Sequence, residues 1–204
     1  SIDDWLHVSI ALLCHDIGYV KGVCRADRPA DHCFADGAGG EVELPAGASN
    51  ASLAPFHIGR GKLFIEERFG GHDTIDADRI NRYIGHTQFP VPTENDGPPD
   101  SAYARLVRSA DLIGQLGDPR YLQKLHALYY EFDETGANAK MGFRNADDLR
   151  KGYPAFYWHM VFPHVTQALG YLEATQFGKN VLANLYSNVF REEHSQQLGE
   201  ATLH

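Results

Sequence analysis

A chain of 204 residues that is 43% hydrophobic and 22% charged has the composition of one well-cored globular protein and not of a disordered segment. Its net charge of -9 argues against a nucleic-acid polymer as partner, because proteins that bind one carry a basic face. The longest apolar run, Ile10 to Cys14, is five residues, so no membrane-spanning helix is expected; with no leader pattern either, the cytoplasm is the expected compartment.

Residues 3–17 read as the first helix, with Asp3 and Asp4 as cap and first-turn acids. It is apolar on most of its surface, which predicts a central position. From Val23 to Pro55 the chain is rich in Gly, Ala, Pro and Asp, and Glu41-Val42-Glu43-Leu44 is its only alternating segment. This predicts one long loop, about 23–55, holding a short hairpin. Helical periodicity resumes at Pro55 and runs through Leu63, Phe64, Ile65 and Phe69 to the Gly70-Gly71 stop. A helix over about Asp76 to His86 is ended by Pro90, Pro92 and the Asn-Asp-Gly-Pro-Pro-Asp run at 95–100.

Tyr103 to Gly117 and Tyr121 to Gly136 read as two more helices. An aromatic-rich helix or helix pair covers Pro154 to Phe177, kinked or divided at Pro163. A last amphipathic helix covers about Lys179 to Glu193. The fold class is therefore all-α, as a single helical domain over residues 1–204. Cys14, Cys24 and Cys33, spaced by ten and nine, form neither a CxxC pair nor a zinc knuckle and read as reduced thiols, with Cys14 in the core.

Chemistry concentrates where the apolar run closes on Cys14-His15-Asp16-Ile17 and Gly18. An ionised carboxylate taken out of water needs a compensating cation or hydrogen bonds, and a divalent metal beside His15 is the simplest partner for Asp16. Asp111 poses the same problem, lying between Val107 and Gly114 on the apolar face of its helix. His57 has Gly61 one turn later, which leaves room beside the imidazole. His86 is followed by Thr87-Gln88-Phe89-Pro90, which would fix its ring near a pocket mouth. Taken singly, each has a plain structural reading: Asp111 caps a helix or pairs with Arg105 or Arg108, and His57 merely starts a helix. Lys21, Arg25 and Arg28 follow the His-Asp turn, and Arg60 and Lys62 flank Gly61. Such cations would bind substrate phosphate; ordinary surface charge is the alternative, preferred for Arg28, Arg60 and Lys62. The aromatic set Tyr129, Tyr130, Phe132, Phe156, Tyr157 and Trp158 reads as core.

Four segments in order, Leu12-Leu13-Cys14-His15-Asp16-Ile17-Gly18, His57-Ile58-Gly59-Arg60-Gly61, His86 and Ser109-Ala110-Asp111-Leu112-Ile113, together resemble the HD-domain superfamily of metal-dependent phosphohydrolases over roughly residues 5–116. The wording from His15 to Arg25 more closely resembles an uncharacterised bacterial group of HD-domain metalloproteins. The resemblance implies an HD-type fold. In it His15, Asp16 and Asp111 hold one divalent transition-metal ion, and His57 and His86, with Asp16 bridging, hold a second. Fe, Mn, Zn, Ni or Co suits such a ligand set better than Ca.

The implied reaction is hydrolysis of a nucleotide or other small phosphorylated metabolite by a metal-activated hydroxide, with Asp16, Lys21 and Arg25 as catalytic residues. The same scaffold also implies two alternatives, a di-iron oxygenase and a non-catalytic metal-binding or sensing domain. The superfamily's first histidine stands on an earlier helix. His7 cannot replace it, because eight residues of helix put its backbone about 12 Å from that of His15, so a further histidine-bearing helix upstream of Ser1 is expected.

Overall fold

The computed structural model describes residues 1–91 and 102–201; Pro92 and the 95–100 run read above as a helix breaker lie outside them. The expected all-α class holds. The chain divides into two compact units, Ser1–Val107 and Arg108–His204. Among the described residues the single sheet is an antiparallel pair, and no helix is long and apolar enough to cross a membrane.

In the first unit α1 (Ile2–Cys14), α2 (His57–Phe69) and α3 (Ala77–Gly85) pack with the start of α4 (Ala102–Leu116). Val8, Ala11, Ile65, Ile80, Tyr83, Ile84, Ala104 and Val107 form its core. Helix α1 is not central: Ile2 is 90%, Trp5 55%, Leu6 42% and Leu13 83% exposed, while only His7, Val8 and Ala11 are buried. A 13-residue helix covers one stripe at the 3.6-residue period, and apolar residues off that stripe stay outside whatever their hydropathy. Its N-cap is Ser1, whose hydroxyl accepts from the Asp4 N–H in a capping box; Asp3 and Asp4 are the first-turn acids.

Buried His7 ties α1 to the start of α3. Its Nδ1–H donates to the Asp3 carbonyl at 2.7 Å, and its Nε2 accepts the Asp76 N–H at 2.9 Å. His7→Ala opens a void and strands that N–H, so a loss of about 2–4 kcal/mol is expected. Urea unfolding with an unchanged m-value checks this.

The long loop carries the expected hairpin, β1 (Cys33–Ala35) against β2 (Glu41–Glu43), with Phe34 opposite Val42. Phe34, Leu44 and Leu53 form a second small core beneath it. All three cysteines are free, and burial pushes the Cys24 thiol up to about 11, leaving it protonated and inert. Cys14 is half-buried and packs against the first-unit core.

The second unit holds α5 (Tyr121–Glu134), α6 (Ala137–Met141), α7 (Ala146–Phe156), α8 (Phe162–Leu172) and α9 (Gln176–Ala201). Helix α7 begins well before Pro154 because Asn145 caps it, accepting from the Asp148 N–H at 2.8 Å; with only Leu149 as an early apolar residue its periodicity is faint. Between α7 and α8 the chain makes one π-helical turn, Tyr157–Val161, and Pro163 falls in the first turn of α8, where its missing N–H costs nothing. Of the aromatic set only Tyr157 is fully buried, and Tyr130 is 60% exposed.

Candidate functional site

Helix α1 ends at Cys14, His15 is its C-cap, and a 3₁₀ turn, Ile17–Tyr19, reverses the chain onto the first turn of α2. The approach is close because residue 18 has no side chain: a β-carbon on Gly18 would stand 1.9 Å from the His57 carbonyl oxygen. Gly61 faces the other side of the same junction. A β-carbon there would lie 3.6 Å from the His15 carbonyl oxygen and 3.7 Å from the Ile84 methyl. The space expected beside His57 for a ligand is therefore filled at Gly61 by the end of α1 and by α3.

The junction brings His15, Asp16, Tyr19 and His57 together. Both imidazoles are held the same way, His15 donating Nδ1–H to the Leu12 carbonyl at 2.8 Å and His57 donating Nδ1–H to the Ala54 carbonyl at 2.5 Å. A carbonyl only accepts, so each Nδ1 carries a proton, and Nε2 is the nitrogen turned away from that carbonyl. This is how ligating imidazoles are oriented in metal sites. Tyr19 stacks on the His57 ring at 4.5 Å and 21°.

His15 Nε2 stands 3.2 Å from Asp16 Oδ2. Two acceptor atoms that close need a proton or a cation between them. A transition-metal ion held by both would supply that cation. Partial desolvation pushes the Asp16 carboxyl up. The hydrogen bond with His15 and the charges of His15 and His57 outweigh it and hold the group below the usual carboxylate range. Asp16 is nevertheless not a buried charge, since its side chain is 65% exposed against 20% for His15. Desolvation of Asp16 is only partial and does not by itself demand a metal, because α1 ends at Cys14, short of the expected residue 17, and the 3₁₀ turn leaves the Asp16 side chain largely exposed.

His86 is the half-buried C-cap of α3, and Asp111 is half-buried on α4 in the second unit. Among the described residues no group of three or more His, Cys, Asp or Glu side chains comes together as a metal site. The donor chemistry of His15, Asp16 and His57 thus fits a transition-metal ion, and their spacing does not close around one.

The cations expected to meet substrate are mostly spent on the protein itself. Lys21 donates to the Ala48 carbonyl at 2.5 Å, Arg25 to the Glu67 carbonyl at 2.6 Å, and Arg28 pairs with Glu41 at 2.6 Å. Arg60, read from the sequence as surface charge, is fully buried. Its five N–H groups go to the Gly18, Ala35 and Val20 carbonyls at 2.7, 2.6 and 3.0 Å and to both oxygens of Asp27 at 2.9 Å. Arg60 lies three residues beyond His57 and grips the turn that carries Asp16 and Tyr19, so it sets the site's backbone without reaching solvent. Sequence reasoning missed Asp27, Tyr19 and this role of Arg60. The available signals were Asp27, an acid inside a Gly- and Ala-rich stretch, and the one-turn spacing of His57 and Arg60.

No curated protein and no solved structure matches the chain. A family described as Npun_R2479-like matches residues 1–195, nearly the whole length. The chain belongs to the Npun_R2479-like family.

Proposed function

We propose that the chain is a cytoplasmic, HD-type metal-dependent phosphohydrolase acting on a nucleotide or other small phosphorylated metabolite. The observation that carries this reading is the pair of imidazoles, His15 and His57, each pinned through Nδ1 to a carbonyl so that Nε2 is turned away from it, with the Asp16 carboxylate 3.2 Å from that of His15. Surface exposure of Asp16 suits a site that must admit substrate. The net charge of -9 favours a small substrate over a nucleic-acid polymer.

On this reading His15, Asp16 and His57 would draw closer than their present spacing to hold a divalent transition-metal ion, with His86 as a further ligand at the end of α3; the HD resemblance alone would add Asp111. When bound, the ion would supply Lewis-acid polarisation of the phosphoryl group and acidify a water. The chain's own contribution is orientation. Leu12 and Ala54 fix the tautomers, Tyr19 holds the His57 ring plane, and Gly18 and Arg60 lock the turn beneath them.

Elemental analysis of the purified chain is expected to find Fe, Mn, Zn, Ni or Co. Asp16→Ala and His57→Ala are each expected to weaken metal retention by more than the about 10- to 100-fold that loss of an outer-shell partner costs. The same variants should abolish phosphate release from a panel of phosphomonoesters and nucleotides. Unchanged metal content in both variants would sink the reading.

A further inference from the structure

We infer that Lys62 supplies the cation that receives the substrate's phosphoryl group beside the proposed metal ligands. The inference rests on the reading above and adds the residue that would bind substrate. Of the five cations that the sequence places after the His-Asp pair and around Gly61, the head groups of Lys21, Arg25, Arg28 and Arg60 are engaged by protein carbonyls or carboxylates; Arg68, at the far end of α2, is exposed. Among the described residues Lys62 alone of the five keeps an ammonium with no hydrogen bond or ion pair, and even Glu66, one turn on along α2, does not pair with it. Its side chain is half-buried, not splayed into solvent.

The placement is built by two glycines. Gly61, the residue before it on α2, packs against the His15 and Cys14 carbonyls, so the stretch of α2 that carries Lys62 runs against the end of α1. On the other side the ammonium lies over Gly85, 3.1 Å from where a β-carbon would stand, and Gly85 immediately precedes His86. The Lys62 ammonium thus lies against the end of α3, one residue before His86, on a helix whose preceding residue meets the end of α1. An ammonium with three donors and no protein acceptor is a ready phosphate partner, and its flexible stem lets it follow a transferring group.

Calorimetric titration of the full chain, as purified, with inorganic phosphate tests this. Lys62→Gln is expected to weaken phosphate binding by about tenfold or more, as for loss of a charge-assisted bond, with metal content by elemental analysis unchanged. Gly85→Ala, which crowds the ammonium without removing its charge, is expected to weaken binding severalfold. Phosphate affinity unchanged in Lys62→Gln, or no phosphate binding by the parent chain, would overturn the inference. The two readings separate cleanly: a chain without metal whose phosphate affinity still depends on Lys62 defeats the metal site alone, and a metal-loaded chain indifferent to Lys62→Gln defeats the anion site alone.

Discussion

Gly18→Ala is expected to destabilise the chain by more than about 4 kcal/mol, in the range reached by only a few substitution mechanisms. The added β-carbon would sit 1.9 Å from the His57 carbonyl oxygen, 2.7 Å from its carbon and 2.8 Å from the Gly61 nitrogen. All three are helix backbone, so no side chain can swing aside, and either the 3₁₀ turn or the start of α2 must move by more than an ångström. Such movement would separate Asp16 from His57, so metal retention should fall along with the unfolding midpoint. Gly61→Ala is the internal control. Its β-carbon would make ordinary contacts at 3.6–3.8 Å inside a helix, where alanine is intrinsically favoured over glycine by about 1 kcal/mol. The expected result is a stability within about 1 kcal/mol of the parent. Two glycines of one junction thus give opposite outcomes in denaturant titration, and equal outcomes would refute the packing described.

Removing either member of the Arg60–Asp27 pair is expected to cost about 3–5 kcal/mol, because the survivor is left as an uncompensated buried charge. Both side chains are 0% exposed. Asp27 accepts from Arg60 and, through its backbone partners, from the Gly22, Cys24 and Ala35 N–H groups at 2.9, 3.3 and 2.9 Å. Burial alone would push its carboxyl up. The Arg60 and Ala35 hydrogen bonds, the Arg60 charge and the Cys24 N–H outweigh it and hold the group below its ordinary value. A carboxyl depressed in the folded state contributes stability that is complete above its unfolded pKa and is lost as pH falls through the folded one. The parent chain should therefore lose stability on acidification below the usual carboxylate range. Asp27→Asn should be weaker at neutral pH and flatter through that acid window. Unfolding free energies measured across that window in both proteins check the sign, and parallel curves would exclude Asp27 as the titrating group.

Much of the helical layout is legible from residue order, for a local reason: α2, α3, α4 and α5 announce themselves by 3.6-residue periodicity and Gly or Pro stops, and the hairpin by the alternation at Glu41–Leu44. Helix α7 escapes because its first two turns offer little apolar signal, and capping by Asn145 is a weaker cue than a hydrophobic stripe. The site is legible in part. His15, Asp16 and His57, which the HD resemblance groups, lie at one junction of the fold, whereas the cations taken for substrate ligands or surface charge divide by contacts that no spacing encodes.

By itself the sequence determined that the chain is helical, roughly where most helices begin and end, and that His15, Asp16 and Gly18 stand near the end of the first, which it ran on to residue 17 where the structure stops it at Cys14. Those properties follow from backbone propensity and from neighbours within a few residues. Only the tertiary structure decided that Asp16 is exposed, that Arg60 is buried with all five donors satisfied, that Gly18 and not Gly61 is sterically indispensable, and that Lys62 keeps an unpaired ammonium. Burial and pairing depend on which distant segment arrives against a residue: here the 23–55 loop settles over one side of α2 and encloses Arg60, while α1 presents one narrow stripe to the core and leaves the rest of its apolar surface uncovered.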